Sequence, residues 1–489
     1  MTGDVALDRN WLGDYPQAIR AALKKLAGRC GEVYVTGGAV RDWLSGKRAV
    51  DLDLTVAGDG LSAARFLAGI TGGAFVLLDE RERVGRVVID ELTVDLSSFR
   101  EGTSSIIDDL SLRDFSINAM GVALDPETGS LLEPLTLIDP LGGVSDLKEG
   151  LVRAPSADVF DNDPLRLLRA YRFAACLAFT IERSTEEWIT SRAESLSRPA
   201  PERISYELMT IMASGRAAEA VAKMDQTGIL GVIFPELLSG KGLEQPASHH
   251  LDVLNHNLAA LSAIEKIITD PATYFPEHPD HFRDYLAVSS HPCLLKWAAL
   301  FHDLGKPETC ETRDNGRTTF YNHDRAGAVT FTGIARRLRW SREQIKTVSG
   351  LIELHMYPFH LSNAMRKTGI TPRACLRLVK AAGDDLPGLF LLAMADSLAS
   401  QGPLRPEDME ADLEKLYNRV DTVYRKSIQP VLGGPPLLTG QDLKEMGLTP
   451  GPLFGQILSG LEQARVAGEV NDREEAFSWV KKFLATASI

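Results

Sequence analysis

Two aspartates separated by one leucine, Asp51 and Asp53, follow a Gly-Gly step at Gly37 and Gly38 in the run GGAVRDWLSGKRAVDLDLTV. Their alternation with Val50, Leu52 and Leu54 reads as a strand, which points both carboxylates to one face. Close carboxylates repel, and one takes up a proton unless a cation lies between them. Mg²⁺ suits such an all-oxygen pair, because it accepts one or two protein carboxylates and keeps positions for water and substrate phosphates. An edge strand with a solvated polar face is the alternative. Strand-like EVYVT, the Gly-Gly step and helix-like AVRDWLSG, which Gly46 could cap, form a strand–turn–helix arrangement that cradles anions through backbone N–H groups. Asp95, in strand-like LTVDLSSF, supplies a third carboxylate. Together these features point to two-metal phosphoryl transfer.

Two further runs carry polar groups suited to a nucleotide. DDLSLRDFSINAM holds Arg113, which can neutralise a triphosphate, and Asp114 and Asn118, which can bond a ribose hydroxyl. Asp114 near a helix start is equally a cap. DNDPLRLLRAYRF holds Asp163 and Arg166, one helical turn apart. A carboxylate beside a guanidinium imitates a base-pairing edge: the carboxylate accepts from the amine of cytosine or adenine, and guanine and uracil present a carbonyl there. Asp163 followed by Pro164 also reads as a helix N-cap, and spacing alone favours the cap. Arg169, Arg172 and Arg203 read either as RNA contacts or as the solvated face of leucine-rich helices.

Farther along, His256, the doublet His302–Asp303, His323 with Asp324, His355, His360 and Asp396 fall on successive helix-like segments. One histidine on an apolar face is usually a satisfied core residue. Several, with aspartates, suit a divalent metal that activates water.

The elements that must position these groups change along the chain. Up to about residue 140, strand-like runs (EVYVTGG, AFVLLD, VGRVVID, LTVDLSSF) mix with helices, and from about 146 the pattern is almost wholly helical. IDPLGGVSDLKEG reads as a flexible joint. PELLSGKGLEQPASHH and SQGPLRPEDME mark two more joints, and QPVLGGPPLLTG interrupts the last helices. A length of 489 residues implies several domains. The net charge of −13 argues against indiscriminate nucleic-acid binding while allowing a local basic groove. Five scattered cysteines without a CxxC pair imply a reduced, cytoplasmic protein without structural zinc. The N-terminal residues lack a signal pattern, and no apolar run approaches a membrane span.

GGAVRD with DLDL, LRDFSINAM, DPLGGVSDL and NDPLRLLRAYRF, in that order, resemble the class II tRNA nucleotidyltransferases and bacterial poly(A) polymerases over roughly residues 30 to 240. The order of His256, His302–Asp303 and Asp396 resembles the HD superfamily of metal-dependent phosphohydrolases, with His323 and His355 matching extra histidines of many members. The resemblance implies an α+β, polymerase β-like nucleotidyltransferase head at 1–140, an all-α neck and RNA-binding domain at 141–240, an all-α HD domain at 241–400 and a helical tail at 401–489. It implies catalysis by Asp51, Asp53 and Asp95, with Mg²⁺ on Asp51 and Asp53. Nucleotide binding falls to Gly37, Gly38, Arg41, Arg113, Asp114, Asn118, Asp163 and Arg166. A divalent metal falls to His256, His302, Asp303, His323, His355 and Asp396. Leu112 and Asn162 depart from an arginine and a glutamate usual in the family.

The implied partners are a tRNA 3′ end, CTP and ATP, with no membrane. The implied reaction transfers CMP or AMP to the tRNA with release of pyrophosphate. Only the 12 residues EGTSSIIDDLSL join Arg100 to Arg113. This leaves little slack for the flexible loop of members that add all of CCA, and so resembles the branch that adds two cytidines and stops, although some A-adding relatives are also short here. The alternatives are an A-adding enzyme, a poly(A) polymerase, or an HD phosphohydrolase with an RNA-binding head.

Overall fold

β-branched and apolar residues at alternate positions give seven short strands in the first part of the chain: β1 (Val33–Thr36), β2 (Asp51–Val56), β3 (Ala74–Asp79), β4 (Val84–Ile89), β5 (Leu92–Ser98), β6 (Gly121–Ala123) and β7 (Leu137–Ile138). They form one sheet in the order β3-β4-β5-β2-β1-β6-β7, in which only β2 and β5 run parallel. A parallel pair needs a crossover, and α3 (Gly60–Thr71) begins it. With α1 (Gln17–Cys30), α3 closes a core in which Leu26, Val35, Leu52, Leu54, Leu67, Val87, Val94 and Leu96 are buried. The short α2 (Gly38–Leu44) leaves β1 directly, and Gly46 follows its end with φ 75°. The computed structural model describes residues 11–13, 15–49, 51–100, 102–132, 136–314 and 318–487. Val50 of the alternating run and Glu101 of the short connector lie outside these.

The chain divides into two compact units, Met1–Ile211 with Lys223–Val232, and Met212–Ala222 with Ile233–Ile489. Beyond the sheet, the first unit is helical, including α4 (Arg166–Leu177) and most of α5 (Pro201–Ala213), with a minimal parallel pair at Leu151–Val152 and Thr180–Ile181. The segment around 140 is not a flexible joint. Gly143–Glu149 is a helix whose first N–H groups, of Gly143 and Val144, donate to the two oxygens of Asp139 at 2.7 and 3.0 Å. Buried Asp146 then accepts from Ser116 Oγ at 2.5 Å and Arg153 Nε at 3.0 Å. Two aspartates thus tie down what the Gly and Pro content alone would leave loose.

The second unit packs α6 (Val253–Thr269), α7 (His291–Phe301), α8 (His323–Arg337), α9 (Arg342–Leu354) and α10 (Leu386–Ala399) around Trp297, Phe301, Phe331 and Phe390. Asp252 caps α6, and Ser341 with Gln344 forms a capping box on α9. α7 and α10 are apolar on nearly every side, which is the pattern of a central helix, and almost all their residues are buried. Lys296 is the exception on α7, and its ammonium is held by Glu265 at 3.0 Å. No helix among the described residues is long and apolar enough to cross a membrane.

Backbones meet most closely at Gly305, where an added Cβ would stand 2.1 Å from His323 O and 2.4 Å from Gly327 N. Gly305→Ala should therefore lower stability by about 1–3 kcal/mol, the usual cost of overpacking. A urea titration should show a lower midpoint with unchanged slope; an unmoved midpoint would mean that the start of α8 shifts freely.

Candidate active sites

Strand register assembles the first site. Asp53 on β2 lies opposite Asp95 on β5, Arg86 on β4 lies opposite Asp95, and Thr36 on β1 lies opposite Asp53. These four residues form one row across the sheet. Asp51 continues the same face, exposed where Asp53 is half-buried. Arg86 donates from Nε and Nη2 to the two oxygens of Asp95, each at 2.8 Å. That bidentate pair neutralises Asp95, and Asp51 and Asp53 are the carboxylates left for a cation. Burial pushes the Asp53 carboxyl up from its ordinary value; Arg113 opposes the shift, and the charges of Asp95 and Asp51 add to it. A divalent ion would reverse the sign of that field, so the donor set fits a hard cation.

Around this row the predicted nucleotide-binding groups are held by one another. Gly37 sits at φ 71°, and a Cβ there would stand 2.9 Å from both Asp53 Oδ2 and Arg113 Nη1. The Gly38 N–H, at the start of α2, donates to Asp53 Oδ2 at 3.2 Å, so the cradle holds a carboxylate oxygen. Arg113 Nη2 donates to Thr36 Oγ1 and Thr55 Oγ1 at 2.8 and 3.0 Å. Arg41 Nη1 reaches Asn118 Oδ1 at 2.8 Å, and Asn118 Nδ2 donates to Asp114 Oδ1 at 3.3 Å. Burial pushes the Asp114 carboxyl up, but the guanidiniums of Arg169 and Arg166 prevail and hold it well below the usual range; Arg169 Nε donates to it at 2.8 Å.

Asp163 and Arg166 flank the start of α4. Asp163 Oδ1 accepts from Leu165 N at 3.1 Å in the turn ahead of α4, which starts without a side-chain cap, while its Oδ2 holds Arg203 Nη2 at 2.9 Å. The Arg166 guanidinium reaches back toward Val159 O at 3.4 Å. Of the other arginines, Arg169 and Arg172 are committed to Asp114 and Glu207. Arg203 pairs with Asp163 at the surface.

The second site converges from four helices and a turn. His256 on α6 brings Nε2 to 3.1 Å from both His302 Nε2 and Asp396 Oδ1. His323 and His355 meet Nε2 to Nε2 at 3.2 Å. Asp303 stands between the two groups, its Oδ1 3.3 Å from His323 and its Oδ2 3.4 Å from His302. His302, His323 and His355 each turn Nδ1 to the carbonyl three residues upstream, at 2.7–2.9 Å. That bond places the proton on Nδ1 and aims the Nε2 lone pair inward. Lone pairs facing each other repel, and a shared cation removes the conflict. Without a cation, a proton on His302 Nε2 takes that place: burial disfavours charge on His302, but Asp303 and Asp396 raise it to about 10; burial and the neighbouring His323 and His302 lower His355 to about 3. Asp303 and Asp396 stay well below the usual carboxylate range despite burial, Asp303 through Lys306 and His302, and Asp396 through His302 and His256. The cluster demands positive charge at its centre, which imidazole and carboxylate ligands take from a divalent metal. A cavity of about 520 Å³ opens beside it, lined among others by Lys306, His249, Phe320, Phe359 and Arg405. His360 and Asp324 line that cavity and lie outside the converging set.

Sequence reasoning missed Arg86, Lys306 and the threonines that hold Arg113. Arg86 leaves one trace, a lone cation inside an alternating apolar strand. Thr36 and Thr55 leave none, since threonine is ordinary in strands.

Residues 33–153 match the family model of the poly(A) polymerase head domain, 178–240 that of a probable RNA- and SrmB-binding site of polymerase A, and 254–400 that of the HD domain. The A-adding tRNA nucleotidyltransferase of Deinococcus radiodurans is 36% identical over 92% of this chain and 95% of its own length. The CC-adding tRNA nucleotidyltransferase of Thermus thermophilus is 31% identical over 91% of this chain and 92% of its own. The solved Thermotoga maritima CCA-adding enzyme complexed with tRNA has the same fold, with a TM-score of 0.62 and 21% identity over 98% of both chains. A CCA-adding enzyme with CTP gives a TM-score of 0.64 and 22% identity over 99% of both. A mixed-sheet head, a helical remainder with an HD domain, and relatives that match from end to end place this chain in the tRNA nucleotidyltransferase family, as a nucleotidyl-transferring enzyme with a poly(A) polymerase-type head.

Proposed function

We propose that the chain adds a single kind of nucleotide to a tRNA 3′ end, two cytidines from CTP with release of pyrophosphate, and then stops. What supports one pocket shape is the tied connector between β5 and Arg113. The backbone N–H and guanidinium of Arg100 both donate to buried Asp109 at 2.9 Å, and Ser105 caps the helix Ile106–Ser111. A segment this short and pinned has little slack to swing between two base-binding forms. The higher identity to an A-adding relative than to a CC-adding one, 36% against 31%, favours a second reading, addition of the terminal adenosine alone.

In either case Asp51 and Asp53 would hold Mg²⁺, which when bound supplies charge stabilisation to the attacking and leaving oxygens. Arg86 keeps Asp95 neutralised and in register. Arg41 and Arg113 draw the triphosphate toward Gly37 and Gly38. Asp114, kept ionised, accepts from a ribose hydroxyl beside Asn118. Asp163 accepts from the base amine and Arg166 donates to the adjacent ring nitrogen. We assign 1–140 to the head, 141–240 to the neck, 241–400 to the HD domain and 401–489 to the tail, in a cytoplasmic enzyme.

The deciding experiment offers tRNA transcripts ending before, within and after CCA together with each labelled nucleotide. Two CMP and no AMP are expected; AMP added only to tRNA ending in CC would establish the second reading, and full CCA synthesis would overturn the single-pocket argument. Asp53→Ala should lose incorporation by roughly 100-fold or more with an unchanged melting temperature. Near-normal incorporation would reduce DLDL to a polar surface.

Arg166→Ala should erode discrimination against UTP and GTP in competition assays. If Asp163 serves only as a cap, Asp163→Ala will instead cost about 1 kcal/mol of stability and leave base preference unmoved.

The HD cluster supports a second activity, cleavage of phosphoesters such as 2′,3′-cyclic phosphates at damaged RNA ends. His256, His302, Asp303, His323, His355 and Asp396 would hold a divalent ion, which when bound supplies an activated water. Asp303→Ala should abolish this cleavage, reduce bound metal measured by elemental analysis, and spare nucleotide addition. A wild-type protein that retains no divalent ion in this unit and cleaves no phosphoester would make the cluster structural.

A further inference from the structure

We propose that a cationic depression on the second unit binds the phosphate backbone of tRNA, outside the segment that carries the RNA-binding family match. The depression encloses about 710 Å³ and is lined by Arg336, Arg339, Trp340, Arg342, Ile345 and Lys346, four cations and no carboxylate. All four cations are exposed. Among the described residues, Arg336, Arg342 and Lys346 have no carboxylate within ion-pair distance. Arg337, next in sequence to Arg336, instead holds Glu236. In a chain of net charge −13, Arg336, Arg342 and Lys346 gather three such cations around one depression.

Local backbone preferences run against these residue types. Trp340 N donates to Ala335 O at 3.0 Å, the long bond of a Schellman-type helix end, and residue 339 lies in the left-handed region at φ 60°. Glycine is the usual occupant of that position, yet an arginine stands there. Arg342 opens α9, at the positive end of the helix dipole, where a cation is disfavoured. Both choices cost stability locally, and both add charge to the same depression.

An anion answers the cost at Arg342, whose guanidinium it neutralises at the capped start of α9. Three of the four cations are arginines, whose planar forks match phosphate oxygens. Trp340 is buried, 8% exposed, so the depression offers no aromatic platform for a base. The contact is with backbone, sequence-independent, as suits an enzyme whose tRNA substrates differ in sequence.

The inference rests on the tRNA reading, and its readout is binding rather than turnover. The full chain and the variant Arg336→Gln/Arg342→Gln/Lys346→Gln are titrated with a tRNA transcript across a KCl series. The slope of log affinity against log salt should flatten by about 2, from roughly 0.7–0.9 for each lost phosphate contact. Affinity near physiological salt should fall about tenfold, while kcat for nucleotide addition stays unchanged. A thermal melt of the same variant separates charge from folding, because three exposed side chains should leave the midpoint unmoved while tRNA binding weakens. Unchanged slope and affinity in this variant, with nucleotide addition intact, would overturn the depression alone. A parent chain that binds no tRNA would overturn the tRNA reading with it.

Discussion

The parallel pairing of β2 with β5 sets Asp53 beside Asp95, and much of the first unit serves to make that juxtaposition tolerable. Adjacent strands lie about 4.8 Å apart, where two like charges at an effective dielectric of 20 repel by about 3 kcal/mol. Arg86 removes one charge from the conflict by taking both oxygens of Asp95. Arg113, fixed by Thr36 and Thr55, stabilises the charge on Asp53. What persists is a deficit of positive charge at Asp51 and Asp53, on the side open to solvent. Gly37 belongs to the same constraint, since any side chain there would collide with Asp53 and Arg113 at once.

The second unit meets the same problem with different ligands. Two buried carboxylates and four imidazoles converge where an oxygen-only site would suit Mg²⁺ less selectively than nitrogen donors suit a transition metal. Rigidity comes from a repeated local device, in which the Nδ1 of His302, His323 and His355 is fixed to a carbonyl one turn back. Gly305 lets the His302–Asp303 turn pass against the backbone of His323, so that Asp303 can stand between both histidine groups.

This contrast explains what was legible in the sequence. The strand-like runs were legible because a two-residue period is local, and so were the histidines and aspartates as residue types. Register was not: nothing near LTVDLSSF states that it pairs with DLDL rather than with its neighbour in sequence alone, and the role of Arg86 follows entirely from that pairing. Asp163 shows both sides of the limit. Its bond to Leu165 N was readable from the Asp-Pro start, whereas Arg203 arrives from forty positions away. The joint near 140 misled for a related reason, since Gly and Pro are visible locally but Ser116, which anchors Asp146, lies thirty positions away.

The arginines of α4 carry the argument one step further. A leucine–arginine helix beside a nucleotide site invites the idea of an RNA-binding face, yet Arg169 and Arg172 are engaged with Asp114 and Glu207. Breaking Arg169 away would leave buried Asp114 without its counter-charge, and Asp114 lies in the network that also holds Asn118 and Arg41. Arg169 therefore keeps Asp114 ionised, Arg172 answers Glu207, and neither is free to follow a phosphate backbone. In an acidic chain that must hold a polyanion, the division of labour is then forced: paired arginines define the pocket chemistry, and whatever grips the rest of the RNA has to draw on cations that the fold leaves without a carboxylate.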